Sequence, residues 1–120
     1  MAQGLARADA VTVAVVGVGQ WAPGESTIHD LLDEVERREL AARGVVGEVA
    51  GVFFDKSGNP LRPKVAARMI TIDPDQLARI PEVVAVVSGA AKSTAVRAAL
   101  EGRLLQSLVI DLELAESLLS

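Results

Sequence analysis

The sequence predicts an α/β domain in which a mainly parallel sheet carries helices on both faces, and three observations carry that prediction. Two runs, Val11-Thr12-Val13-Ala14-Val15-Val16 and Val83-Val84-Ala85-Val86-Val87, are β-branched or small throughout and lack the polar alternation of a half-exposed strand. Segments with helical apolar spacing follow them, and alternation of strand and helix produces parallel sheets. Half of the 120 residues are hydrophobic and the net charge is −4, which suits one folded domain, 1–120, and leaves no room for two.

The elements follow in order. The first strand, 11–16, closes in the glycine turn Gly17-Val18-Gly19. Beyond Pro23-Gly24, Ser26 or Thr27 caps a helix whose apolar positions Ile28, Leu31, Leu32 and Val35 recur at helical spacing, and Gly44 stops it. Residues 45–54 read as a strand interrupted by glycines, and Asp55-Lys56-Ser57-Gly58-Asn59-Pro60 as a turn. A further short strand is predicted over 67–72. Asp73-Pro74-Asp75 then supplies a cap, a proline at the first helical position and an acid in the first turn, while Pro81 keeps that helix short. The strand 83–87 is linked by Ser88-Gly89-Ala90-Ala91-Lys92-Ser93 to a helix over 94–101 that Gly102 ends. Leu108-Val109-Ile110 is the last strand and 114–119 the last helix.

Composition excludes several functions. The only aromatic side chains are Trp21, Phe53 and Phe54, too few to stack single-stranded bases, and the acidic balance argues against phosphate-backbone binding. Zero cysteines remove disulfides and thiolate sites. The single histidine, His29, makes a histidine metal site improbable and reads as a solvated helix residue, as do Asp30, Asp33 and Glu34. No apolar stretch approaches the ~20 residues that span a bilayer, and the first residues do not resemble a signal peptide. A cytoplasmic protein without cofactor, membrane contact or DNA contact of its own is expected.

Three local patterns bear on chemistry. Gly17-Val18-Gly19-Gln20-Trp21-Ala22 loosely matches a dinucleotide fingerprint, but Pro23-Gly24 falls where its helix should run and Asp55 lies too far along to hold a ribose. It reads instead as a loop at the carboxyl end of a strand, where α/β proteins bind ligands. Lys92-Ser93-Thr94 after Gly89 is no Walker loop, because Val86 and Ala91 stand where glycines are needed. A small-residue turn, a helix N-terminus and a lysine still suit one phosphate group; the alternative is an exposed lysine. Glu48, in an apolar segment, either faces solvent at a sheet edge or contacts a ligand hydroxyl, since an unpaired buried carboxylate is costly.

In sequence order these patterns resemble the sugar-binding effector domains of SorC/DeoR-type bacterial transcriptional regulators. The resemblance rests on Val15-Val16-Gly17-Val18-Gly19, Gly44-Val45-Val46-Gly47-Glu48-Val49-Ala50-Gly51, Phe54-Asp55-x-x-Gly58, Arg68-x-Ile70, Ile80-Pro81-x-Val83-Val84-Ala85-Val86, Gly89-x-x-Lys92 and Leu108-Val109-Ile110-Asp111. It covers nearly all of the chain from about residue 12, with Ser88 where a first glycine is usual, and matches the C-terminal portion of such domains.

The resemblance implies a fold similar to ribose-5-phosphate isomerases and sugar-phosphate deaminases, used to sense a phosphorylated sugar without transforming it. It also implies assembly into homo-oligomers, with DNA reached only through an N-terminal helix-turn-helix domain that this chain lacks. Glu48 would contact sugar hydroxyls and Lys92 the phosphate, and the candidate ligand-binding set is Gly17, Gly19, Glu48, Asp55, Gly89, Ala90, Ala91 and Lys92. A small sugar-phosphate isomerase or hydrolase of the same ancestry is the alternative. It is disfavoured because an isomerase needs a general base, and no second acid or histidine evidently accompanies Glu48.

Overall fold

The computed structural model describes residues 11–69 and 71–120. Its strands form two three-stranded sheets. Strands β1 (Val13–Val16), β5 (Glu82–Val87) and β6 (Ser107–Ile110) are parallel in the order β1-β5-β6. Strands β2 (Val18–Gln20), β3 (Val45–Val49) and β4 (Val52–Asp55) are antiparallel in the order β2-β3-β4. The helices are α1 (Thr27–Leu31), α2 (Glu34–Ala42), α3 (Pro74–Arg79), α4 (Ser93–Glu101) and α5 (Leu112–Leu119), with 3-10 turns at Lys64–Arg68 and Ala90–Lys92.

The principal core joins the sheets. Val83, Ala85 and Val87 of β5 pack with Ala95, Val96 and Ala99 of α4, and Phe54 of β4 and Leu114 of α5 close the cluster. Small residues on α4 let it lie close to the antiparallel sheet, with Ala95 against Gly47 of β3. A second cluster lies around Leu40 of α2, Val45 and Phe53. Adjacent Phe53 and Phe54 thus serve different clusters, as alternation along a strand requires. Val45 and Val49 have the same parity yet also fall in different clusters, because the register of β3 against β4 shifts between Val45 and Gly47.

Several expectations are corrected. The glycine turn at 17–19 is no turn: only Gly17 interrupts the extended chain, which passes from β1 into β2 of the other sheet. The long helix over 27–44 is two helices, because Asp33 accepts from the Glu36 amide while the Glu36 carboxylate accepts from the Asp33 amide, a capping box that restarts the helix. Leu31 and Val35, two of the apolar positions at helical spacing, are exposed. His29, read as solvated, is buried with its ring edge-on to Trp21. The interrupted strand over 45–54 is the β3-β4 hairpin, turned at Ala50 and Gly51, whose φ angles are 51° and 82°. The strand predicted over 67–72 is absent from the described residues there; Ile70 lies outside them.

The parallel sheet departs from its expected coverage as well. Val13, Val15, Val86 and Val109 are each more than half exposed, the highest being Val15 at 71%. Helices α4 and α5 pack on the opposite face. The 11–16 and 83–87 runs therefore leave one valine face uncovered among the described residues.

The turn after β4 is anchored by a close approach of backbones. Gly58 has φ of 80°, and a Cβ there would overlap the Ala98 carbonyl and the Gly102 backbone at the end of α4. Gly44 has a similar φ of 83° but open space around it. Gly58→Ala is expected to cost about 2–4 kcal/mol and Gly44→Ala only about 1 kcal/mol, the conformational part alone. Urea unfolding of the two variants checks this; equal losses would remove the packing role of Gly58.

Candidate functional site

The site begins at the start of α1. Ser26 caps this helix, its Oγ accepting from the His29 amide at 3.2 Å and donating to Glu48 Oε1 at 3.3 Å. The preceding turn is fixed by Asp30, whose carboxylate oxygens accept from the Gly24 amide at 3.0 and 3.2 Å and lie against His29 Nδ1 at 2.9 Å. The His29 contact, followed by the Gly24 amide, holds the Asp30 carboxyl below its ordinary pKa. His29 in turn stands 4.7 Å from the Trp21 ring centroid, and Trp21 packs edge-on to Phe53 at 5.8 Å. A surface turn is thereby tied to the second core cluster.

Strand β3 brings in the central carboxylate. Glu48 lies opposite Gly19 in the β2-β3 register, and a Cβ on Gly19 would overlap Glu48 Oε1 and crowd Ser26. The absent side chain gives the carboxylate its place. Besides Ser26, Glu48 accepts from the Gly51 amide at 3.4 Å, so both of its hydrogen bonds are long. Burial raises its pKa, against the Gly51 amide, the Ser26 hydroxyl and the nearby Lys92 charge, which lower it.

Lys92 ends the 3-10 turn after β5 and supplies the cation. Its Nζ donates to the Glu25 carbonyl at 2.7 Å and lies 3.8 Å from Glu25 Oε2. With Gly17, Val18, Thr27 and Ala50 these groups line an open pocket of about 350 Å³ at the carboxyl ends of β1 and β5. Its chemistry is two carboxylates, one ammonium, two hydroxyls and glycine backbone, a set suited to polar ligands bearing hydroxyl groups. A second cleft of about 280 Å³ lies between β4 and α3, lined mainly by apolar groups such as Val52, Phe53, Leu61 and Ile72. Its polar groups are engaged: Thr71 donates to the Ala50 carbonyl, Arg62 pairs with Asp75 and Asp73 caps α3.

The structure gathers Gly17, Gly19, Glu48 and Lys92 in one pocket, as the sequence suggested. It does not bring the others to that pocket's lining. Asp55 holds its own turn, accepting from the Ser57 amide at 2.9 Å and the Asn59 amide at 3.0 Å. The Gly89 amide donates to Asp111 at 3.2 and 3.3 Å and the Ala90 amide to Glu113 at 3.4 Å, so acids of α5 and its cap meet the amides expected to meet an anion; Ala91 is exposed beside them. Glu25 and Ser26 were missed as site residues. Ser26 was legible only as a cap, and the position of Glu25 depends on the turn at Pro23-Gly24. The second acid that the sequence did not reveal in the pocket of Glu48 is therefore Glu25, whose Oε2 lies 3.8 Å from Lys92 Nζ.

Comparison with known proteins places these features. A family model described as "Putative sugar-binding domain" matches residues 1–120. The chain is 30% identical over 114 residues to the transcriptional regulator LsrR of Enterobacter sp. (strain 638), covering 94% of this chain and 35% of the regulator. Its backbone matches the full-length sorbitol operon regulator SorC of Klebsiella pneumoniae with a TM-score of 0.86 at 27% identity, over 96% of this chain and 37% of that one. A DeoR family transcriptional regulator from Listeria monocytogenes also gives 0.86, at 28% identity, over 98% and 48% of the two chains. The chain thus spans about a third of the length of the curated relatives it matches.

The environment of Glu48 gives a pH signature. Because its folded pKa lies above the ordinary 4.5, the native state keeps a proton that the unfolded chain releases, and stability falls as pH rises from 4.5 through the raised value. Glu48→Gln lacks that loss. Urea unfolding is expected to show the variant gaining on wild type as pH rises to 7 and the difference narrowing towards pH 4.5. A difference that widens on acidification would contradict this.

Proposed function

Because the chain belongs to the sugar-binding domain family found in bacterial transcriptional regulators, we propose that it is the effector-sensing part of such a regulator and binds a phosphorylated sugar without transforming it. The supporting observation is Glu48: a half-buried carboxylate with two long hydrogen bonds, facing a polar pocket beside a lysine. Sugar hydroxyls would supply the short hydrogen bonds that Ser26 and Gly51 do not, and Lys92 would meet the phosphate with a charge-assisted bond. Gly17, with open space where a Cβ would stand, would let the ligand approach backbone, while Gly19 makes room for Glu48. Asp55 and the Gly89 to Ala91 segment would support the loops around the pocket.

Residues 1–120 act in this reading as one unit of a cytoplasmic regulator, with operator recognition carried by regions outside the matched segment. The acidic net charge, −4, fits the absence of direct DNA contact. Self-association would use the uncovered valine face of the parallel sheet, since an exposed apolar surface of this kind favours pairing.

Titration calorimetry with ribose 5-phosphate tests the ligand reading. Lys92→Ala is expected to weaken binding by about 1.5–3 kcal/mol, the range for charge-assisted hydrogen bonds, and Glu48→Ala to weaken ribose and ribose 5-phosphate alike. Affinities unchanged by either substitution, or accumulation of a converted sugar, would contradict the reading. Sedimentation at micromolar concentration tests assembly: a dimer or larger species is expected, and Val15→Asp should shift it towards monomer. A monomeric wild-type chain would remove the proposed interface.

A further inference from the structure

Sugar recognition by Glu48 and Lys92 leaves one group of the pocket without a role. Glu25 approaches the same lysine, its Oε2 3.8 Å from Nζ, and its backbone is held at both its carbonyl and its amide. Its carbonyl accepts from the Gln20 amide of β2 at 3.1 Å as well as from Lys92 Nζ at 2.7 Å, and its own amide donates to the Ala22 carbonyl at 3.1 Å. The turn that carries it is locked by Gly24, with φ of 76° and an amide bound to Asp30. Lys92 is only 21% exposed, so its ammonium meets Glu25 with limited screening by water. With both glutamates ionised, the three charges leave one negative charge in excess at the place where a phosphate would bind.

We infer that Glu25 is a specificity-determining residue, a charge gate that sets the balance between phosphorylated and uncharged ligands by competing with phosphate for Lys92. A dianion entering the pocket has to take the ammonium from the Glu25 carboxylate and endure its repulsion. A neutral sugar bound through Glu48 has to do neither. The gate as it bears on sugars rests on the sugar-binding reading above, whereas competition for Lys92 between a carboxylate and inorganic phosphate does not.

The experiment measures inorganic phosphate, ribose and ribose 5-phosphate binding to the wild-type chain, to Glu25→Gln and to the double variant with Lys92→Ala. Glutamine keeps the length of the side chain and all of the backbone contacts, and unchanged amide NMR spectra away from the pocket verify the fold. Glu25→Gln is expected to bind inorganic phosphate and ribose 5-phosphate about two- to fivefold more tightly, the scale of a partly exposed ion pair, with no comparable gain for ribose. The gain should vanish in the double variant and shrink as salt is added. Phosphate affinity that is unchanged, undetectable in both proteins, or lowered together with that for ribose would overturn the gate. Tighter inorganic phosphate with no sugar bound by any of the proteins would keep the gate and remove the sugar reading. Ribose 5-phosphate bound equally tightly by the wild-type chain and Glu25→Gln would do the reverse.

Discussion

Two glycines on neighbouring strands, Gly19 of β2 and Gly47 of β3, one register position apart, set the geometry on which the rest depends. A Cβ on Gly47 would crowd the Gly19 carbonyl, Ala95 of α4 and the Phe54 ring, so only glycine lets β2, β3 and α4 approach as they do. That approach seats α4 on the antiparallel sheet and, through the same helix, joins it to the parallel one. Across the register, the missing side chain of Gly19 is the space that Glu48 occupies. Core and pocket therefore rest on two neighbouring glycines, Gly47 for the seating of α4 and Gly19 for the place of Glu48.

The pocket lies where the two sheets meet. Gly17 carries the chain from β1 into β2, so the carboxyl end of the parallel sheet opens onto the antiparallel one. Lys92 arrives from the parallel side and Glu48 from the antiparallel side, while the α1 turn brings Ser26 and Glu25 over the top. Electrostatics at this joint are finely opposed. Burial works against the ionised form of Glu48, Lys92 favours it, and Glu25 draws on the same lysine. An arrangement of this kind would make binding depend on ligand charge, as the proposed sensing role requires.

The class of fold was legible in the sequence because β-branched runs and helix caps are local signals. Asp73-Pro74, Gly44 and Gly102 mark boundaries that the structure keeps. The antiparallel sheet was not legible, since Gly17 breaks a valine run without altering its composition and a two-residue turn at Ala50-Gly51 hides inside an apolar stretch. His29 was misread because its burial comes from Trp21, eight positions away, and not from its charged helical neighbours. Glu48 and Lys92 stood out through local chemistry and the family resemblance together. Glu25 could not stand out, because nothing in Pro23-Gly24-Glu25 reveals that the turn folds its carbonyl and carboxylate onto a lysine 67 positions further on. The amides at Gly89 and Ala90 illustrate the same limit: the motif promises free donors, and the tertiary fold brings Asp111 and Glu113 to them.

The central claim is that ligand binds between Gly19, Ser26, Glu48 and Lys92. Mapping amide chemical shifts by NMR while ribose 5-phosphate is titrated into the protein tests it most directly. The largest shifts are expected on those residues and on Glu25 and Thr27. Shifts centred instead on Leu61, Arg62, Thr71 and Ile72, which line the apolar cleft between β4 and α3, would contradict it.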